Sequence, residues 1–132
     1  MNRDLQIEHM VRQAKDPDNH RLINQFLEQK LAVEQPTKAN LRNHHLAQFQ
    51  VLMETLADEC LPAHWRCSCL DNIYRPLQAF ERLADCPQHY QQVLTLTHEL
   101  RIISHYLLPG LITQERLSEN QHRTLAIGQV KQ

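Results

Sequence analysis

Apolar residues recur every three to four positions along most of the chain, which is the spacing of amphipathic helices. The first such stretch covers residues 2–15 and the second covers residues 17–35. Pro36 ends the second stretch, because proline disfavours α geometry in the residue before it. Thr37 is then the N-cap of a third helix, which we expect to reach Cys60.

The second half of the chain continues the same pattern between prolines. A helical segment over residues 63–85 is either kinked or restarted at Pro76, since proline removes a backbone donor. The most regular apolar stripe follows over residues 87–108 and predicts the central core helix, which we expect to end at Pro109-Gly110. A weaker pattern predicts a last helix over residues 113–127.

These boundaries predict an all-α protein: a single domain over residues 1–132, built as one compact bundle of five or six helices with short, proline-marked connections. The composition agrees, because good helix formers dominate and the chain has only 2 glycines. A chain of 132 residues can bury a core without help from metals or disulfides. Residues 129–132 should fray.

Charge and hydropathy narrow the classes of partner. The formal net charge is −1 with 9 histidines counted as neutral, and the lysines and arginines are scattered. Nucleic-acid binding needs concentrated positive charge, so the sequence does not favour it. The charged N-terminus does not resemble a signal peptide, and no apolar run approaches the roughly 20 residues that cross a bilayer. We therefore expect a cytoplasmic protein with reduced thiols, in a bacterial or similarly reducing cell.

The middle of the chain concentrates residue types that bind zinc. Residues 60–69 hold three of the 4 cysteines, one histidine and the only tryptophan. Two pairs with helical spacing could complete a zinc site between helices: Cys60 with His64, and Cys86 with His89. The spacing departs from the paired knuckles of structural zinc sites, and packing in the core explains the thiols more simply. We therefore expect no metal or other cofactor, with zinc as the alternative.

Motifs for catalysis are missing from the sequence. It has no His-Glu-x-x-His helix, no Gly-x-Ser-x-Gly elbow and no glycine-rich phosphate loop. Cys67 lies next to Arg66, which could lower its pKa, but the sequence places no histidine base beside it. We therefore expect no enzymatic activity.

A few apolar residues outside the core stripes predict a binding surface. Ile102 and Tyr106 lie off the main stripe of their helix, and Trp65 lies at a corner of the chain. Aromatic side chains are favoured anchors at protein interfaces. The partner-binding residues predicted on this basis, with the last three on the rim, are Trp65, Ile102, Tyr106, His98, Arg101 and His105.

The sequence as a whole favours a small helical protein-binding module. Such an adaptor, chaperone-like or regulatory protein acts by laying its helix surfaces against another protein or a second copy of itself. The alternative is a zinc-stabilised or DNA-binding regulator that uses the Cys/His-rich middle segment.

Overall fold

This computed structural model describes the backbone of residues 2–131 and the side chains of residues 5–111. The described backbone forms six α-helices joined by turns and loops, and it contains no strands. In chain order the helices are α1 (Asn2–Arg12), α2 (Arg21–Leu27), α3 (Lys38–Ala57), α4 (Ala63–Asn72), α5 (Tyr74–Arg82) and α6 (Pro87–Lys131). The predicted all-α bundle of five or six helices is confirmed, although the connection between α2 and α3, residues 28–37, is longer than expected. Within the described part of the chain, none of the helices combines the length and the apolarity that a bilayer crossing needs.

Two helices begin where local signals in the sequence indicate. Thr37 precedes α3, and its Oγ1 accepts a hydrogen bond from the backbone N–H of Asn40 at 3.1 Å. Pro87 is the first residue of α6, a position where the backbone N–H has no partner inside the helix. The first hydrogen bond of α6 runs from Tyr90 N to Cys86 O at 3.2 Å, which makes Cys86 the N-cap residue.

The central helix of the bundle is α3. It packs against α1, α4 and α5, whereas α6 packs mainly against α4 and α5. The prediction that the helix over residues 87–108 would be central is wrong, because one side of α6 stays exposed. In contrast, α3 buries a wide arc of side chains: Gln48, Phe49, Leu52, Thr55 and Leu56.

All six helices contribute apolar side chains to the core. Its buried members are Val11, Leu22, Ile23, Phe26, Phe49, Leu52, Leu56, Trp65, Cys69, Leu70, Ile73, Leu77, Leu100 and Leu111. Two polar side-chain groups of α4 find hydrogen-bond partners inside this core. Trp65 Nε1 donates to Val11 O at 2.9 Å, and Arg66 Nε donates to Leu56 O at 2.8 Å. The second bond satisfies a carbonyl in the last turn of α3, where backbone acceptors lack partners within the helix.

The second helix is shorter than its apolar pattern predicts. The pattern covers residues 17–35, but α2 spans only Arg21–Leu27. A side chain of α3 explains where α2 ends. Gln48 Nε2 donates to Phe26 O at 3.3 Å and to Leu27 O at 3.2 Å. These bonds give the last carbonyls of α2 partners from outside the helix, so the chain can leave helical geometry there.

The last helix is longer than predicted. Pro109 lies inside α6, and Gly110 does not adopt the left-handed conformation that commonly ends a helix. The predicted stop at Pro109-Gly110 is therefore wrong, and the helix predicted over residues 113–127 is part of α6. Of the predicted frayed end, residues 129–131 belong to α6 and Gln132 lies outside the described residues.

Candidate functional site: the outer face of α6

Trp65, one of the predicted anchors, lies in the core. Its side chain is only 1% exposed, and its indole N–H is already bonded to Val11 O. An indole that is buried with its donor satisfied has no free face for a partner. The prediction that Trp65 forms part of a binding surface is therefore wrong, and the surface has to be built from α6.

Ile102 and Tyr106 do lie on the surface, where they are 43% and 75% exposed. Sequence analysis missed two further exposed side chains on the same helix, Tyr90 at 53% and Leu94 at 63%. Together with the exposed His98, these residues follow one another at intervals of four. We call Tyr90, Leu94, His98, Ile102 and Tyr106 the α6 ridge.

The α6 ridge is an apolar surface that the bundle itself does not cover. Side chains four residues apart are neighbours on a helix, and 16 residues span about 24 Å at the α-helical rise. A different face of α6 enters the core, where Val93, Leu100 and Leu111 are buried. Exposed apolar surface that is continuous in this way is typical of interaction sites.

Polar groups and a cavity border the α6 ridge. Arg101 and His105 are exposed, as the prediction of a polar rim requires, and the ring of His105 meets the Tyr106 ring edge to face with centroids 5.4 Å apart. Beside Tyr106 lies a surface cavity of about 360 Å³, whose other lining residues are Glu59, Arg66, Leu107, Gly110 and Leu111. An exposed aromatic anchor thus lies next to a space that can accept a partner's side chain.

The two Cys/His pairs of the alternative zinc prediction do not come together. Cys60 and His64 follow the end of α3. Cys86 and His89 lie near its beginning, where Arg42 donates to the connection that precedes α6. The 20 residues of α3 separate the two pairs by about 30 Å at the α-helical rise, so the four residues cannot bind one ion.

None of the four cysteines, which all lie in the described part of the chain, is joined in a disulfide, and their thiols lie in different surroundings. Cys60 is exposed, because α3 ends at Ala57 rather than continuing to Cys60, and the expectation that its thiol packs in the core is wrong. Cys69 does lie in the core, and burial raises the pKa of its thiol to about 12. Cys67 and Cys86 are half-buried.

This difference predicts the order in which thiol reagents modify the folded protein. We expect Cys60 to react first and Cys69 to react only after unfolding, since the thiolate is the reactive form and Cys69 is both inaccessible and protonated. Mass spectrometry of peptides after timed maleimide treatment measures the order. Rapid modification of Cys69 in the folded protein would contradict its place in the core.

The α6 ridge is the site that the geometry supports best, because its apolar side chains are exposed together along one helix. Comparison with known proteins found no matching family model, no matching curated protein and no matching solved structure. Function is therefore argued from the α6 ridge and the residues beside it.

Proposed function

We propose that this protein acts by binding protein rather than by catalysis, as an adaptor, chaperone-like or regulatory module, and that the α6 ridge is its binding surface. The single observation behind the proposal is the exposure of four large apolar side chains on α6, two before and two after His98, in a row of four-residue steps. Rows of side chains with this interval form the ridges that interdigitate when two helices pack. A helix from a partner can therefore lie across α6 without any change in the bundle.

The occupant to which we commit is a second copy of the chain, because the α6 ridge is complementary to itself. It has an aromatic residue at each end, an aliphatic residue inside each end and His98 at the middle. If two copies pair antiparallel about His98, Leu94 packs on Ile102 of the other copy. Tyr90 and Tyr106 lie about 80° around the helix to either side of His98 and flank this contact.

The available area supports such a pair. Scaled by their exposed fractions, the apolar side chains of the α6 ridge offer on the order of 400 Å² per copy. A standard specific interface buries about 800 Å² per partner. Flanking polar side chains, Arg101 and His105 among them, would supply the remainder and form the rim, while His98 can both donate and accept hydrogen bonds at the axis.

The test compares two tyrosine substitutions in the full chain by sedimentation velocity over a range of concentrations. We expect Tyr106→Ala to raise the dimer dissociation constant by at least about thirtyfold, because a lost aromatic anchor costs about 2 kcal/mol or more. Tyr74→Ala is the matched control, since Tyr74 is also a half-exposed tyrosine but lies on α5. The control should dimerise like the wild-type protein.

A second variant, Leu94→Glu, brings a charge into the middle of the proposed interface and should leave only monomer. Circular dichroism should be unchanged in all three variants, because each substituted side chain is exposed. The proposal is contradicted by a wild-type protein that is monomeric at every concentration, or by a dimer whose affinity Tyr106→Ala and Leu94→Glu leave unchanged.

A further inference from the structure

A second cluster of chemically active side chains lies at the beginning of α6, away from the buried core. Asp85 and Cys86 immediately precede the helix, and His89 lies in its first turn. Asp85 Oδ1 is 3.0 Å from His89 Nδ1. One ligand atom from each residue, including the sulfur of Cys86, lies within 4.8 Å of the other two.

These three donors are types that zinc prefers. Zinc binds thiolate, imidazole and carboxylate ligands, and its four-coordinate sites are tetrahedral. At ordinary zinc bond lengths the ligand atoms of such a site lie about 3.3 to 3.8 Å apart. The pairs that include the Cys86 sulfur thus need to close by about 1.3 Å at most, and the 3.0 Å pair of Asp85 and His89 has to open by about 0.3 Å. Asp85 is exposed, so its side chain has room to move.

The surroundings of Asp85 leave one of its oxygens for an ion. Its Oδ2 faces Arg42 Nη1 and Lys38 Nζ, each at 3.9 Å, while Oδ1 faces His89. Arg42 is itself held by its hydrogen bond to Leu83 O at 3.1 Å. Metal-ligating carboxylates are commonly oriented by an outer partner in this way. Two cations of α3 therefore orient the carboxylate without occupying the side that faces His89 and Cys86.

We propose that Asp85, Cys86 and His89 bind one zinc ion, with solvent in the fourth position. The ion would lie between His89 Nδ1 and Asp85 Oδ1 and would replace the backbone N–H of Asp85, which donates to the same nitrogen at 3.4 Å. Binding would release the thiol proton of Cys86 to solvent. Carboxylate and thiolate together balance the charge of the ion. The site differs from the pairing predicted from the sequence, because the third ligand is Asp85 and neither Cys60 nor His64 takes part.

Cobalt serves as the spectroscopic probe, because Co²⁺ adopts the same tetrahedral sites and gives visible absorption together with a thiolate charge-transfer band. We expect the reduced full chain to bind one equivalent of Co²⁺ with that band, and one equivalent of Zn²⁺ to abolish it by displacement. Cys86→Ser should remove the charge-transfer band. His89→Gln should weaken binding by more than about tenfold.

Cys60→Ser is the matched control, because Cys60 is the exposed cysteine at the other end of α3. It should leave both the spectrum and the affinity unchanged. The proposal is overturned if Cys86→Ser keeps the charge-transfer band, if Cys60→Ser removes it, or if wild-type protein gives only the spectrum of hydrated Co²⁺. The zinc site does not depend on the α6 ridge, so Tyr106→Ala should bind Co²⁺ like the wild-type protein.

Discussion

Replacing Trp65 with alanine is expected to lower the free energy of unfolding by about 3–5 kcal/mol, the largest effect that we expect from one substitution in this chain. The indole fills the contact between α4 and α1, and it is 1% exposed. Its removal leaves a cavity and also takes from Val11 O one of two donors, the other being the backbone N–H of Ala14 at 3.3 Å. Urea unfolding followed by circular dichroism measures the change, since the substitution removes the only tryptophan.

Two further variants separate the causes of this loss. Trp65→Phe keeps much of the packing but removes the indole donor to Val11 O, which keeps the N–H of Ala14. It should therefore cost about 0.5–1.5 kcal/mol, the net contribution of one hydrogen bond. Tyr74→Ala removes a partly exposed aromatic side chain and should change stability by less than about 0.5 kcal/mol. A loss below about 1 kcal/mol in Trp65→Ala would show that the indole does not lie in the core.

Trp65 also shows what a helical pattern in the sequence can predict about the fold and what it cannot. Its four-residue spacing from Cys69 puts both side chains on the same side of α4, and both are buried. The pattern does not say which other element covers that side. The cover here includes Val11, 54 residues earlier in the chain, and a contact over that distance leaves no trace in local periodicity.

Helix boundaries, too, are predictable from the sequence only where the residues that set them lie close along the chain. The beginnings of α3 and α6 are predictable, because Thr37 and Pro87 act within one turn of the chain. The end of α2 is not, since its last carbonyls are satisfied by a side chain of α3. Pro109-Gly110 is a local stop signal, yet α6 continues through it to Lys131.

The candidate site was only partly predictable for a related reason. Ile102 and Tyr106 could be found, because they lie off the apolar stripe of their helix. The four-residue interval that joins them to Tyr90 and Leu94 is present in the sequence and could have completed the α6 ridge. Asp85 carries no comparable signal, since its place beside His89 is set by how the chain enters α6 and by the two cations of α3.

Replacing Gln48 with methionine is expected to destabilise the protein by about 2–4 kcal/mol, although the volume of the side chain hardly changes. Gln48 is 4% exposed, and its Nε2 donates to the carbonyls of both Phe26 and Leu27. Methionine leaves Leu27 O without this donor, at about 1–3 kcal/mol, and removes one donor from Phe26 O, which keeps the backbone N–H of Gln29 at 3.3 Å. It also removes the acceptor Oε1, which lies 3.2 Å from His45 Nδ1.

The control for this substitution is Gln50→Met, because Gln50 is exposed on the same helix and should tolerate the change within about 0.5 kcal/mol. Urea unfolding measures both variants, and hydrogen exchange tells where the loss falls. Amides of α2 should lose protection in Gln48→Met, because the helix loses the partners of its last carbonyls. Equal stability of the two variants would mean that α2 ends for reasons within its own sequence, and that α3 does not set the boundary.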